Sequence, residues 1–151
     1  MNLQVIDHVG LNVRSLDTSF AFYERLFGFE VMHRWATSWL IRKGDLKIGL
    51  FQRPNGSPVC DLDQTLGITH VAFRTDPSSF DEAARELAAL GVTFDPPQDT
   101  GVAMAMFILD PDGHQIEITS FHPDLEPSTT EIRRSQMQGK RECCRPLWVR
   151  A

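Results

Sequence analysis

One pattern of strand, helix and three further strands can be read twice along this chain, and that repetition limits the possible folds more than any other feature. The first copy opens with VIDHVGLNVR, Val5 to Arg14, an alternating run rich in β-branched residues that predicts a strand. Ser15 follows as an N-cap with Asp17 in the first turn. Phe20, Tyr23, Leu26 and Phe27 then fall at helical spacing, and Gly28 ends the helix. The runs FEVMHRW, TSWLIRK and LKIGLFQ predict three strands, the last two separated by a Gly44-Asp45 turn. The second copy restarts at GITHVAFRT. Asp76-Pro77-Ser78 opens its helix, Phe80, Ala84, Leu87 and Leu90 line one side, and Gly91 closes it. VTF, VAMAMFIL and HQIEITSF predict the three strands, with DPDG as a tight turn between the last two. His8 stands twenty residues before Gly28, and His70 twenty-one before Gly91.

The reading is an α+β fold of two βαβββ modules. Module 1 covers about residues 4–52 and module 2 about 67–121, in a single domain 1–121. Between them, RPNGSPVCDLDQTL (53–66) has linker composition. Neither module can cover its own sheet, so the two are expected to share a core. Residues 122–151 are polar and Pro-interrupted and read as a C-terminal extension. A short helix is expected there around Thr130 to Met137, and Leu147, Trp148 and Val149 are apolar enough to dock.

Several function classes fit poorly. The formal net charge is −5 and no basic stripe stands out, which argues against a nucleic-acid partner. No apolar run approaches the roughly 18 residues of a membrane span. MNLQVIDHVG has neither a basic nor an apolar leader region, so no signal peptide is expected. The three cysteines, Cys60, Cys143 and Cys144, make a poor disulfide framework, and a reducing cytoplasm suits them best.

The segments IDHVGLNVRSLDTSFAFYERLFGFEV, ITHVAFRT and FILDPDGHQIEI resemble the vicinal oxygen chelate superfamily. That group includes glyoxalase I, bleomycin-resistance proteins, extradiol dioxygenases and metal-dependent fosfomycin-resistance enzymes. The resemblance covers about residues 4–121 and implies a half-open, mixed β-barrel cup. It implies metal ligands from the first and last strands of each module. His8 and His70 fill the two first-strand positions, and Glu117 fills the last-strand position of module 2. The matching position of module 1 falls at Gly49, which offers no donor. Two imidazoles and a carboxylate with open positions suit one divalent cation of the Fe, Mn, Zn or Ni kind. Glu117 is then also the candidate catalytic residue, and Phe107, Trp39 and Phe51 are candidates for a substrate-binding wall. His33 and His122 have no identifiable partner in the sequence, and His114, in the DPDGH turn, is expected to face solvent.

The same resemblance discriminates among reactions. An extradiol dioxygenase would carry a Tyr ten residues before the metal Glu and a His shortly before it. Phe107 stands there, and PPQDTGVAMAM holds no His. Fosfomycin-type enzymes place phosphonate-binding Ser and Tyr groups where Gly101, Ala105 and Phe107 stand, and an Arg where Glu126 stands nearby. Glyoxalase I needs the module 1 Glu that Gly49 replaces. What remains is a glyoxalase-like metalloenzyme acting on a small substrate with neighbouring oxygens, of lyase, isomerase or unusual dioxygenase type. The alternative is a protein that binds and sequesters a small molecule, as bleomycin-resistance proteins do. A homodimer is expected, from the resemblance and from the sheet edges that a lone copy would leave.

Overall fold

The structure, a computed structural model, describes residues 5–57 and 67–123. Cys60, most of the expected linker, and residues 124–151 of the C-terminal extension with its expected helix lie outside the described residues. Contacts divide the chain into two compact units. Unit 1 is Met1–Thr69 with Leu109–His114, and unit 2 is His70–Ile108 with Gln115–Ala151.

Unit 1 contains β1 (Val9–Val13), α1 (Leu16–Phe27), β2 (Glu30–Arg34), β3 (Ser38–Lys43) and β4 (Leu46–Gln52). Ser15 caps α1, its hydroxyl accepting from the Thr18 amide at 3.3 Å. Gly28 adopts φ 67°, the left-handed conformation that glycine reaches without strain, and its amide donates to Glu24 O at 2.9 Å. The sheet order is β1-β4-β3-β2, with β1 parallel to β4 and the other pairs antiparallel. Leu11, Val13, Ile41, Ile48 and Leu50 are buried with Leu16 and Tyr23 of α1. Each fully buried side chain of this kind contributes about 1.5–3 kcal/mol relative to exposure.

Unit 2 repeats the order with β5 (Val71–Arg74), α2 (Pro77–Ala89), β6 (Gln98–Asp99), β7 (Ala103–Leu109) and β8 (Gln115–Phe121), in sheet order β5-β8-β7-β6. Asp76 caps α2, one carboxylate oxygen accepting from the Ser79 amide at 2.9 Å. The Ser78 hydroxyl, followed by the amide and hydroxyl of Ser79, holds its carboxyl well below the usual carboxylate range. Phe80 and Leu87 of α2 are buried with Ile108, Ile116 and Ile118. One expected strand moves. Residues 92–94 make only an isolated bridge, Phe94 to Ile108, and the short strand forms instead at Gln98–Asp99. Pro96 and Pro97 stand between the two and have no amide hydrogen, so the ladder is interrupted there.

The DPDGH turn is the piece of the second repeat that belongs to unit 1. Tyr23, fully buried on α1, donates its hydroxyl to Asp110 Oδ2 at 3.0 Å. Ser19 Oγ donates to Asp112 Oδ2 at 3.1 Å, and the Arg14 amide to Asp112 Oδ1 at 3.1 Å. Asp110 Oδ1 closes the turn itself, accepting from the amides of Asp112 and His114. Gly113, at φ 90°, supplies the conformation the turn needs. His114 does not simply face solvent. Its Nδ1 lies 2.8 Å from Asp110 Oδ2 and its side chain is 30% exposed. The hydrogen bond to Asp110 raises the His114 pKa against the opposing effect of burial. Burial, followed by the neighbouring Asp110 charge, likewise pushes the Tyr23 phenol up.

Candidate metal centre

In both units the first strand runs parallel to the last, and the registers coincide. In unit 1 Gly10 stands opposite Gly49, and in unit 2 Ala72 stands opposite Glu117. Gly10 lies two residues after His8, and Ala72 two after His70. Gly49 and Glu117 are therefore register equivalents, each diagonal to the histidine that precedes its first strand.

Unit 2 brings two candidate ligands together. His70 Nε2 lies 2.9 Å from Glu117 Oε2, with side chains 34% and 14% exposed. The separation is within hydrogen-bond distance. It also suits a cation, since two ligands about 2.1 Å from one metal stand roughly 3.0 Å apart at a right angle. An imidazole nitrogen and a carboxylate oxygen are donors that Mn, Fe, Zn and Ni accept. The Phe107 ring stands edge-to-face with the His70 ring, centroids 5.9 Å apart. Phe107 thus flanks His70.

His8 lies in unit 1. Its Nδ1 is 2.9 Å from Asp7 Oδ2, and Lys47 Nζ is 2.6 Å from Asp7 Oδ1. The Lys47 hydrogen bond, followed by that of His8, holds the Asp7 carboxyl below its usual range. His8 Cδ2, the carbon next to Nε2, faces Gly49: a Cβ built there would stand 3.5 Å from it. The same Cβ would stand 2.9 Å from Phe51 Cε2, so the Phe51 ring covers the position. Among the described residues, no three His, Cys, Asp or Glu side chains form a cluster able to hold a metal ion. His70 and Glu117 are the two candidate ligands that a single unit holds together.

The aromatic candidates separate. Phe51 lies over Gly49 beside His8, and Phe107 beside His70. Trp39 pairs with Leu50 and so points to the opposite face of its sheet from Phe51. Its ring packs against Phe20 of α1, centroids 5.7 Å apart, with the Arg34 guanidinium 4.3 Å above it. That packing removes Trp39 from the wall expected for it. The remaining histidines do have partners: His33 lies against the Trp35 ring, centroids 4.3 Å apart, and His122 Nε2 is 3.0 Å from Asp99. Asp7 and Lys47 carried no signal in the sequence reading, because only the fold brings residue 47 beside residue 7.

Residues 5–118 match the family described as the Glyoxalase/Bleomycin resistance protein/Dioxygenase superfamily. The chain belongs to this superfamily. It is 31% identical over 116 residues to "Glutathione transferase FosA" of Serratia marcescens, covering 77% of this chain and 80% of that protein. It is 26% identical over 120 residues to "Metallothiol transferase FosB" of Staphylococcus epidermidis, covering 78% and 82%. Among solved structures, the glyoxalase family protein from Enterococcus faecalis superposes with a TM-score of 0.71 at 23% identity, over 80% of this chain and 100% of that one. The glyoxalase fold is therefore that of this superfamily member, and no helix among its described residues is long and apolar enough to cross a membrane.

Proposed function

We propose that this superfamily member is a metal-dependent enzyme for a small substrate with neighbouring oxygens, its one divalent cation held by His8, His70 and Glu117. The observation carrying this reading is the His70–Glu117 pair, 2.9 Å apart with the Phe107 ring beside it. When bound, the cation supplies Lewis-acid polarisation of a substrate oxygen. The residues do the rest. The two histidines donate as neutral imidazoles, so Glu117 is the only ligand charge. That leaves a divalent site net positive and selective for electron-rich oxygens. Glu117 has a second oxygen that can accept a proton from substrate, the role expected of it in a lyase or isomerase. Phe107 and Phe51 supply apolar walls that exclude water from the substrate carbon skeleton. The reading includes a cytoplasmic homodimer, which light scattering at micromolar concentration tests.

A second reading, thiol transfer, is favoured by the 31% identity to a protein named as a glutathione transferase. Against it, Gly101, Ala105 and Phe107 lack the hydroxyls that would hold a phosphonate. The experiment is metal analysis of protein purified without chelators, followed by assays with two substrates. One is the hemithioacetal of methylglyoxal and glutathione, and the other is fosfomycin with glutathione. One metal per chain, lost in Glu117→Gln, supports the first reading. Turnover of fosfomycin would favour the second, and protein that retains no divalent metal would leave only a binding function.

A further inference from the structure

We infer that Asp7, anchored by Lys47, is a positioning residue that fixes His8 in the tautomer able to ligate a cation through Nε2. The inference rests on the reading of His8 as a ligand. It goes further by naming what sets the imidazole's proton and direction.

The argument starts from Asp7 itself. An ionised carboxylate has only acceptor sites, so in the 2.9 Å contact the hydrogen belongs to His8 Nδ1. A neutral imidazole carries one ring hydrogen, and placing it on Nδ1 leaves the Nε2 lone pair for a metal. Lys47 then fixes the carboxylate. Its Nζ donates to the other Asp7 oxygen at 2.6 Å, so Asp7 is held at both oxygens, with a side chain from β4 determining where it stands. Lys47, Gly49 and Phe51 alternate onto one face of β4, which places this anchor on the side where the His8 ring lies.

The ring's direction is a second observation. His8 Cδ2, adjacent to Nε2, is the ring atom nearest a Cβ at Gly49. In unit 2 it is Nε2 of His70 that meets Glu117, the register equivalent of Gly49. Both imidazoles thus present the Nε2 edge toward the last strand of their own unit. The two units reach this orientation differently. His70 has its carboxylate on the Nε2 side, whereas His8 has its carboxylate on Nδ1. The residues corresponding to Asp7 and Lys47 in the second repeat are Thr69 and Gln115, which cannot form the same charged pair. The repeat has split the work: one unit provides the charged ligand, and the other provides a carboxylate that orients a neutral one. An exposed ion pair contributes little to stability, so orientation rather than stability is what Asp7 and Lys47 supply. Carboxylates behind metal-bound histidines typically affect affinity by about 10- to 100-fold.

The test uses the full chain with Zn2+ as probe. Zinc affinity is measured by competition titration for wild type, Asp7→Ala, Lys47→Met and His8→Ala. The His8 tautomer is read from imidazole 15N shifts in the metal-free wild type, Asp7→Ala and Lys47→Met proteins. Asp7→Ala is expected to weaken Zn2+ by about 10- to 100-fold and to move the His8 hydrogen off Nδ1. Lys47→Met should move both readouts the same way by less. Asp7→Ala binding Zn2+ within about twofold of wild type, with its 15N pattern unchanged, overturns the inference. His8→Ala separates the two claims. If it binds as tightly as wild type, His8 is no ligand and the underlying reading fails. If it loses binding while Asp7→Ala does not, only the role of Asp7 fails.

Discussion

The Phe51 ring lies over Gly49 so closely that a Cβ at position 49 would stand 2.9 Å from Phe51 Cε2. Gly49 is the register equivalent of Glu117, so in the proposed three-ligand site a fourth protein ligand would come from this position. Gly49→Glu alone is therefore expected to destabilise the fold by about 1–3 kcal/mol through overpacking, without tightening metal binding. Combining it with Phe51→Ala removes the obstructing ring. The double variant should regain stability over Gly49→Glu and bind Zn2+ at least about tenfold more tightly, equivalent to roughly 1.4 kcal/mol. Thermal unfolding and zinc competition check both. Tighter zinc binding by the single variant would mean that the ring moves aside freely and is no barrier.

Tyr23→Phe tests the anchor between α1 and the DPDGH turn. The phenol is fully buried and donates to a carboxylate that is itself buried. Removing the hydroxyl leaves Asp110 with the His114 ring and two amides, one donor fewer. The expected loss is about 1–3 kcal/mol in urea unfolding. A change within experimental error would show that the remaining donors suffice.

A pH dependence follows from His114, whose pKa is raised chiefly by its hydrogen bond to Asp110, with the Asp110 and Asp112 charges acting in the same direction. Tyr23, the other titratable group on Asp110, stays neutral throughout because its own pKa is raised. Between the unfolded histidine value, about 6.5, and the raised folded value, the native state binds more protons than the unfolded state. Stability from this pair is thus full below about pH 6.5 and declines as pH rises through the folded pKa. Urea unfolding from pH 6 to 9 should show that decline in wild type and a flatter profile in His114→Ala. Parallel profiles would assign the slope to other groups.

The sequence carried the repeat because strand alternation, caps and glycine stops are local signals. Ser15, Gly28, Asp76 and Gly91 stand at or beside the helix ends expected of them. The equivalence of Gly49 and Glu117 was legible too, since parallel pairing preserves the offset between motifs. Long-range partners were not. Tyr23 meets Asp110 across most of the chain, and nothing within either segment marks the other. Trp39 looked like a wall residue because an aromatic on a strand is ambiguous until its facing helix is known. The Arg34 and Phe20 contacts resolve that ambiguity. The shift of the short strand to Gln98–Asp99 reflects two prolines whose effect on a ladder depends on which amides the neighbouring strand needs.

Phe107 is the residue whose replacement tells most about the chemistry. Its ring stands edge-to-face with His70, which in turn contacts Glu117. In the dioxygenases that the chain resembles, a Tyr occupies this position, and its hydroxyl is a proton donor that phenylalanine cannot supply. The wild-type protein loaded with Fe(II) is accordingly expected not to cleave catechols. Phe107→Tyr keeps the ring and adds a hydroxyl, so metal affinity should stay within about twofold, while bound 4-nitrocatechol should shift its absorption toward the ionised form. Phe107→Ala keeps the pair but removes the wall. It should weaken an aromatic ligand by about tenfold, roughly 1.4 kcal/mol, with metal affinity again little changed. The two variants thus separate the hydroxyl from the hydrophobic surface. Strong catechol cleavage by the wild-type protein would overturn the assignment, because proton transfer would then be proceeding without the group whose absence at position 107 argues against it. Equal loss of metal and ligand in Phe107→Ala would show instead that the ring supports His70 and Glu117 and forms no wall.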